Sequence, residues 1–230
     1  MFEHHFALSD VIRRVRTLSN SSRSRSRSNS CGSVGSRGSH GSANIHNHGE
    51  FKVLVIGAPG VGKTTICRTY AGLRDEDDDI CCVNSAQDVP YDTSVFLEKE
   101  TEIQQYDLEV YDYNCNATSM EKRSLIEKCD AYLLVYSTTS KQSFLQLLEL
   151  KQDITRIVNN MKRQSSPPIM FAVGNMSDLR DNHVVKDDEL WSLNVEHVDI
   201  SAVNNEGLQL TFNTLVRKCA DRKESQQKKN

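Results

Sequence analysis

The chain has 230 residues, 37% of them apolar, and a formal net charge of −3, which suits one medium domain with a single core. No apolar run approaches the roughly 18 residues that span a bilayer, and no secretory signal follows Met1. Its seven cysteines are scattered, which indicates reduced thiols rather than a disulfide framework or a zinc site. We therefore expect a cytoplasmic protein.

Residues 1–49 are predicted to form a disordered basic arm, because serine, arginine and glycine dominate and apolar residues are few. Residues 1–50 carry seven arginines against three acidic residues, a net charge of +4, so the remaining residues carry −7. Near the start of the chain, five apolar residues recur at the spacing of one helix face: Leu8, Val11, Ile12, Val15 and Leu18. Three interpretations stay open. The segment is a transient helix, or a basic amphipathic helix that contacts an anionic membrane or a protein groove, which would place the protein peripherally at the plasma membrane. The third is a mitochondrial presequence, against which Glu3 and Asp10 count.

The folded domain is predicted over residues 50–220, followed by a polar C-terminal tail over 221–230. Strands are predicted at 51–56, 94–103, 106–111, 131–136, 169–173 and 195–200, and a tight turn near Gln104 and Gln105 joins the second to the third. Helices are predicted to begin at Thr65 and to cover 118–128, 144–161, 187–193 and 208–219. This alternation predicts an α/β fold with a six-stranded, mostly parallel sheet and helices on both faces.

The segment from Gly57 to Thr64 reads G-A-P-G-V-G-K-T and matches the phosphate-binding P-loop, GxxxxGK[ST], between a strand and a helix. Its backbone N–H groups and the helix N-terminus would surround phosphate oxygens, and Lys63 would reach the β- and γ-phosphates. Because Pro59 has no N–H, the contacts must come from the groups that follow it. The candidate phosphate-binding residues are Gly57, Pro59, Gly60, Val61, Gly62, Lys63, Thr64 and Thr65.

A Mg²⁺ ion bound with the phosphates needs oxygen ligands from two parts of the chain. The Thr64 hydroxyl is the first candidate. Asp112 ends an apolar run at the carboxyl end of a predicted strand, where a carboxylate that holds Mg²⁺ belongs. Thr93, or Ser94 beside it, would supply a further hydroxyl from the start of the second strand.

Residues that would recognise the base follow two later strands. The Asp178 carboxylate can accept two hydrogen bonds from the N1–H and the 2-amino group of guanine, a donor pair that adenine lacks. Asn175 and Met176 precede it, and Ser201 and Ala202 would offer a backbone N–H to guanine O6. Val203 completes that motif.

The order of these motifs resembles that of the Ras-like small GTPases, over about residues 50–220. The resemblance implies a P-loop NTPase G domain that binds GTP and GDP with Mg²⁺, switches between the two states, and contacts effector or regulatory proteins through two mobile loops. It also implies that Lys63 and Asn116 act in catalysis, with Asn116 at the position of a water-orienting glutamine.

Several residues depart from this pattern. Cys115 stands where the family's Asp-x-x-Gly motif, here beginning at Asp112, has its glycine, and Asn116 is one methylene shorter than glutamine. Met176 and Val203 each replace a usual lysine. The chain ends without a CaaX box and starts Met-Phe, so we expect neither a prenyl anchor nor N-myristoylation. A long arm, an altered Asp-x-x-Gly motif and no lipid site are also traits of the Rad/Gem/Kir branch.

Three functional hypotheses follow. The first is a small GTPase signalling switch with weak intrinsic hydrolysis, because a good water-orienting residue is missing. The second is a nucleotide-binding interaction module, a pseudo-GTPase without significant turnover. The third, a P-loop kinase or ATPase, conflicts with Asp178. A nucleic-acid partner is not expected, because three Arg-Ser repeats at 23–28 are too few.

Overall fold

The computed structural model of the protein describes residues 46–73, 89–99, 102–113, 115–161 and 166–228. Residues 1–45 of the predicted basic arm, with its amphipathic segment, lie outside these residues. Within the described ranges, no helix is long and apolar enough to cross a membrane.

Six strands in the described part of the chain form one sheet. They are β1 (His46–Gly57), β2 (Tyr91–Lys99), β3 (Glu102–Asp112), β4 (Ala131–Ser137), β5 (Ile169–Asn175) and β6 (Glu196–Asp199). Their spatial order is β2-β3-β1-β4-β5-β6, and every neighbouring pair is parallel except β2 and β3. The predicted six-stranded, mostly parallel sheet is thereby confirmed.

The helices of the described residues are α1 (Lys63–Tyr70), α2 (Ser119–Lys128), α3 (Lys141–Asn159), α4 (Asp187–Ser192) and α5 (Leu208–Gln227), with one 3₁₀ turn at Arg180–Asn182. They cover both faces of the sheet. Alternate residues of a strand point to opposite faces, so neighbouring residues of β1 pack against different helices. Val53 and Val55 of β1 share one buried cluster with residues of α1 and α5. Leu54 and Ile56 share the other with residues of α2, α3 and α4.

The α2 helix has a weak apolar pattern, and its first turn explains why it begins at Ser119. The Thr118 N–H donates to the Glu121 carboxylate at 2.6 Å, and the Glu121 N–H donates to the Thr118 hydroxyl at 3.3 Å. This reciprocal capping box satisfies two donors that the first turn would otherwise leave unpaired.

The predicted turn at Gln104 and Gln105 is wrong, because both residues lie inside β3. Gln104 pairs with Leu97 of β2 on one side and with His46 of β1 on the other, and it is only 7% exposed. Its amide oxygen accepts a hydrogen bond from the Tyr106 hydroxyl at 3.0 Å. Two consecutive polar residues are typical of a turn, but here a neighbouring side chain satisfies the Gln104 amide within the strand.

The segment predicted as a polar tail is mostly helical, because α5 continues to Gln227. Two contacts with the sheet explain the extra turns. The Lys99 ammonium of β2 donates to the Glu224 carboxylate at 2.5 Å, and the Lys223 ammonium lies 5.6 Å from the Phe51 ring centre. The sheet also begins earlier than predicted, since β1 starts at His46 rather than at Phe51.

Candidate functional site

The segment between β1 and α1 folds into a tight loop in which two glycines have left-handed backbone angles. Gly60 has φ +76° and Gly62 has φ +89°. A Cβ at Gly62 would overlap the side-chain amide nitrogen of Asn175, and one at Gly57 would overlap the carbonyl oxygen of Val135 in β4. Around Gly60 the space is open. The P-loop motif therefore reflects both backbone conformation and close contact with the neighbouring strands.

Lys63 begins α1 and is buried, with 7% of its surface exposed. Its ammonium donates to the Ala58 carbonyl at 2.7 Å and to the Cys115 sulfur at 3.2 Å. A buried ammonium needs such partners, because an unpaired charge in the interior is costly. The predicted phosphate ligand is thus held at the loop by one backbone group and by one unexpected side chain.

Thr64 and Asp112 meet beside Lys63, as the metal-site prediction requires. The Thr64 hydroxyl donates to one Asp112 carboxylate oxygen at 2.5 Å. The other oxygen is buried and has no hydrogen-bond partner among the described residues. Burial raises the pKa of the Asp112 carboxyl above its ordinary value, although the Thr64 hydroxyl and the Lys63 charge oppose the shift. The Thr64 hydroxyl and the Asp112 carboxylate are hard oxygen ligands, and one carboxylate oxygen lacks a partner. These features fit a Mg²⁺ ion.

Thr93 does not join this group. It lies inside β2 and pairs with Leu108 of β3, four positions before Asp112. At about 3.4 Å per residue the two side chains are about 14 Å apart along the ladder. The prediction placed the start of the second strand too late, because β2 already begins at Tyr91. Ser94, the alternative, donates to the Asp107 carboxylate at 2.9 Å instead.

Asn175 connects the predicted phosphate and base motifs. Its side-chain amide donates to the Val61 carbonyl in the P-loop at 2.9 Å, and its side-chain oxygen accepts the Ala202 N–H at 3.0 Å. The residue is 4% exposed at the carboxyl end of β5. One buried amide therefore holds together three segments that the sequence presents as separate motifs.

The predicted donors to guanine O6 are committed within the protein. The Ala202 N–H bonds to Asn175, and the Ser201 N–H donates to the Glu206 carbonyl at 3.2 Å. This corrects the role predicted for both residues, although their loop does lie beside the other base motif. Val203 follows them and is 81% exposed.

Met176 and Asp178 follow β5 in a short turn. Met176 has a left-handed backbone angle, φ +69°, which is uncommon for a residue with a side chain. The turn closes through a bond from the Leu179 N–H to the Met176 carbonyl at 3.0 Å, and the Ser177 N–H donates to the Ile200 carbonyl at 3.1 Å. Asp178 is exposed at this turn, where a ligand can reach its carboxylate.

The last two candidates come after β3. The Cys115 sulfur contacts the Lys63 ammonium and lies 3.5 Å from the Gly57 carbonyl oxygen. Asn116 is exposed. The sequence motifs do not include Ser137 and Thr138, which contact the base motif from the end of β4. Their only sequence signal is a pair of polar residues at the carboxyl end of a buried strand, the edge where ligands bind in such sheets.

Comparisons with known proteins agree with this arrangement. The family model described as "Ras family" matches residues 52–221. The chain is 31% identical over 201 residues to "GTP-binding protein RAD" of Mus musculus, across 85% of this chain and 60% of that protein. It is 29% identical over 194 residues to "GTP-binding protein REM 2" of Rattus norvegicus, across 82% of this chain and 53% of the relative. For "GTP-binding protein GEM" of Homo sapiens the identity is 30% over 186 residues, across 77% and 58%. The chain thus spans a little over half the length of these curated relatives.

Proposed function

This chain belongs to the Ras family and is Rad/Gem/Kir-like, and on that premise we propose that it is a small GTP-binding switch that binds GTP and GDP with Mg²⁺. The observation that carries the proposal is the double hydrogen bond of Asn175 to Val61 and Ala202. It joins the loop that we assign to the phosphates and the loop that we assign to the base at one edge of the sheet. The names of the three relatives support guanine as the base.

We assign the phosphates to Lys63 and to the backbone N–H groups that follow Pro59. Thr64 and Asp112 would hold Mg²⁺, which neutralises charge on the phosphates when it is bound. Asp178 would accept hydrogen bonds from the N1–H and 2-amino group of guanine. An adenine nucleotide lacks this donor pair, so a carboxylate paired with it would lose both bonds.

We propose that hydrolysis of GTP is slow. The family's water-orienting glutamine is replaced by the shorter Asn116, and Cys115 replaces the glycine whose N–H serves the γ-phosphate in the family. Lys63 and the loop amides still supply electrostatic stabilisation of the transferred phosphoryl group.

The contact between Cys115 and Lys63 favours a second candidate, a nucleotide-binding interaction module without turnover. This contact engages the ammonium that would otherwise serve the γ-phosphate.

Partners and location belong to the same proposal. Effector or regulatory proteins would contact the loops that follow α1 and β3, and the basic arm would add a weak contact with a membrane or a protein. We propose a cytoplasmic protein with peripheral membrane contact on the basis of the arm's net positive charge.

The test is nucleotide binding by the purified full chain. We expect GDP or GTP to be released on heat denaturation, and a fluorescent GDP to bind with Mg²⁺ while ATP fails to compete. Lys63→Ala should weaken binding at least about a hundredfold, because it removes a buried charge from the phosphates. Lys218→Ala, which removes a half-buried lysine that pairs with Glu196 at the start of β6, is the matched control and should bind normally.

Single-turnover hydrolysis with excess protein then separates the two candidates. Phosphate release above that of Lys63→Ala supports the slow GTPase, and release equal to that variant supports the module without turnover. A wild-type protein that folds but takes up neither GDP nor GTP would contradict both.

A further inference from the structure

Two buried polar residues lie at the carboxyl end of β4, beside the loop that we assign to the base. Ser137 is 5% exposed and Thr138 is 3% exposed. Neither belongs to the phosphate, metal or base motifs. Polar side chains that are buried at this depth require partners, and both find them in the loop that follows β5.

Thr138 holds two consecutive carbonyl groups of that loop. Its N–H donates to the Asn175 carbonyl at 3.0 Å. Its hydroxyl lies 3.1 Å from the Asn175 carbonyl oxygen and 3.1 Å from the Met176 carbonyl oxygen, so the two share its single proton. The carbonyl of Thr138 in turn accepts the Val184 N–H at 2.9 Å, which ties Thr138 to the chain beyond the loop.

Ser137 engages the side chain of the same residue. Its hydroxyl donates to the Met176 sulfur at 3.2 Å and lies 2.8 Å from the Thr139 hydroxyl. Met176 is therefore held through its backbone carbonyl by Thr138 and through its side chain by Ser137. Its left-handed backbone angle of φ +69° is a strained conformation that persists only where neighbouring contacts enforce it.

From these contacts we infer that Thr138 is a positioning residue for guanine recognition, an inference that rests on the proposed function. The hydroxyl of Thr138 keeps Met176 in the left-handed conformation, and the turn that follows Met176 carries Asp178. The direction in which the Asp178 carboxylate faces the base is thereby set from β4. Both hydrogen bonds to guanine, from the N1–H and from the 2-amino group, depend on this direction, so a base that lacks the 2-amino group depends on it less.

The experiment compares GDP with IDP, whose hypoxanthine base lacks only that amino group. Full-length wild type, Thr138→Val, Thr138→Ser and Thr155→Val are tested for binding of both nucleotides with Mg²⁺. Thr138→Val keeps the shape of the side chain and removes the hydroxyl, while Thr138→Ser keeps the hydroxyl. Thr155→Val makes the same exchange in α3, where the hydroxyl donates to the Lys151 carbonyl at 2.8 Å and touches no nucleotide motif.

We expect Thr138→Val to raise the Kd for GDP about fivefold and to change the Kd for IDP less than about twofold, so that discrimination by the 2-amino group falls. Thr138→Ser should restore the wild-type ratio, and Thr155→Val should leave it unchanged. Thermal unfolding of each variant separates loss of fold from loss of discrimination. An unchanged GDP-to-IDP ratio in folded Thr138→Val, or a Thr138→Ser variant as impaired as Thr138→Val, would overturn the inference while the proposed function stands. A wild-type protein that binds neither nucleotide would overturn both.

Discussion

At the scale of single residues, the ammonium of Lys63 has two partners with different consequences. The Ala58 carbonyl belongs to the loop itself, whereas the Cys115 sulfur comes from the segment after β3. A glycine at position 115 would leave the ammonium available to a phosphate oxygen and would free the local backbone. The identity of this one residue therefore bears on how strongly a γ-phosphate is held.

Cys115→Gly is expected to raise affinity for GTP analogues about fivefold and to raise GDP affinity less, since the freed ammonium can pair with the β- and γ-phosphates of GTP but only with the β-phosphate of GDP. Competition binding with GDP and a non-hydrolysable GTP analogue measures this ratio. Cys115→Ser keeps a Cβ and a polar atom at the same position and should behave like wild type. A ratio that moves equally in both variants would show that the contact between Lys63 and Cys115 has no such role.

At the scale of elements, the P-loop is held in place from β5. The Asn175 side-chain amide donates to the Val61 carbonyl, and it lies so close to Gly62 that a methyl group there would overlap it. Gly60 has a similar left-handed angle but faces open space. These two glycines therefore separate the cost of backbone strain from the cost of displacing Asn175.

We expect Gly60→Ala to lower the free energy of unfolding by about 1 kcal/mol, from backbone strain alone. Gly62→Ala should lower it by about 1–3 kcal/mol more, because Asn175 must give up a buried hydrogen bond, and it should abolish GDP binding. Urea unfolding and GDP titration of both variants test this difference. Equal losses in the two variants would contradict the proposed coupling between β5 and the loop.

At the scale of the whole molecule, the ends of the described part of the chain are built into the sheet. The first residues of β1 pair with β3, from His46 opposite Gln104, and the Asn47 amide donates to the Asp107 carboxylate at 2.5 Å. At the other end, α5 continues to Gln227, and its Glu224 carboxylate accepts a hydrogen bond from Lys99 of β2. The predicted domain, 50–220, is therefore shorter than the part of the chain that belongs to the sheet and its helices.

Deletion of residues 1–45 is expected to preserve both GDP affinity and the unfolding temperature, and to change the location of the protein in the cell or its partners. Deletion of residues 1–49 should also preserve GDP affinity but should lower the free energy of unfolding by about 1–2 kcal/mol, because it removes ladder hydrogen bonds and the Asn47 contact. Thermal unfolding, GDP titration and imaging of tagged proteins measure these effects. Loss of folded protein in the shorter deletion would show that the arm contributes to the fold.

Local patterns in the sequence were sufficient for the sheet and the order of its elements. They also predict the P-loop, Asp112, Asn175 and Asp178 as site residues, because periodicity and short motifs depend on neighbours in the chain. The misplaced turn at Gln104 and Gln105 and the assignment of Thr93 failed because strand register depends on partners far along the chain. Periodicity alone does not show which distant strand will satisfy a polar side chain.

The sequence by itself determined that a phosphate-binding loop lies between a strand and a helix of a parallel sheet, because that motif is contiguous. Only the tertiary structure decided that Cys115 contacts Lys63 and that Asn175 connects two loops. It also decided that the Thr138 hydroxyl contacts the turn after β5 at Met176. Each of these contacts joins residues that are distant in the chain and become neighbours only when parallel strands end at one edge. Such contacts follow from register and packing, which no local pattern encodes.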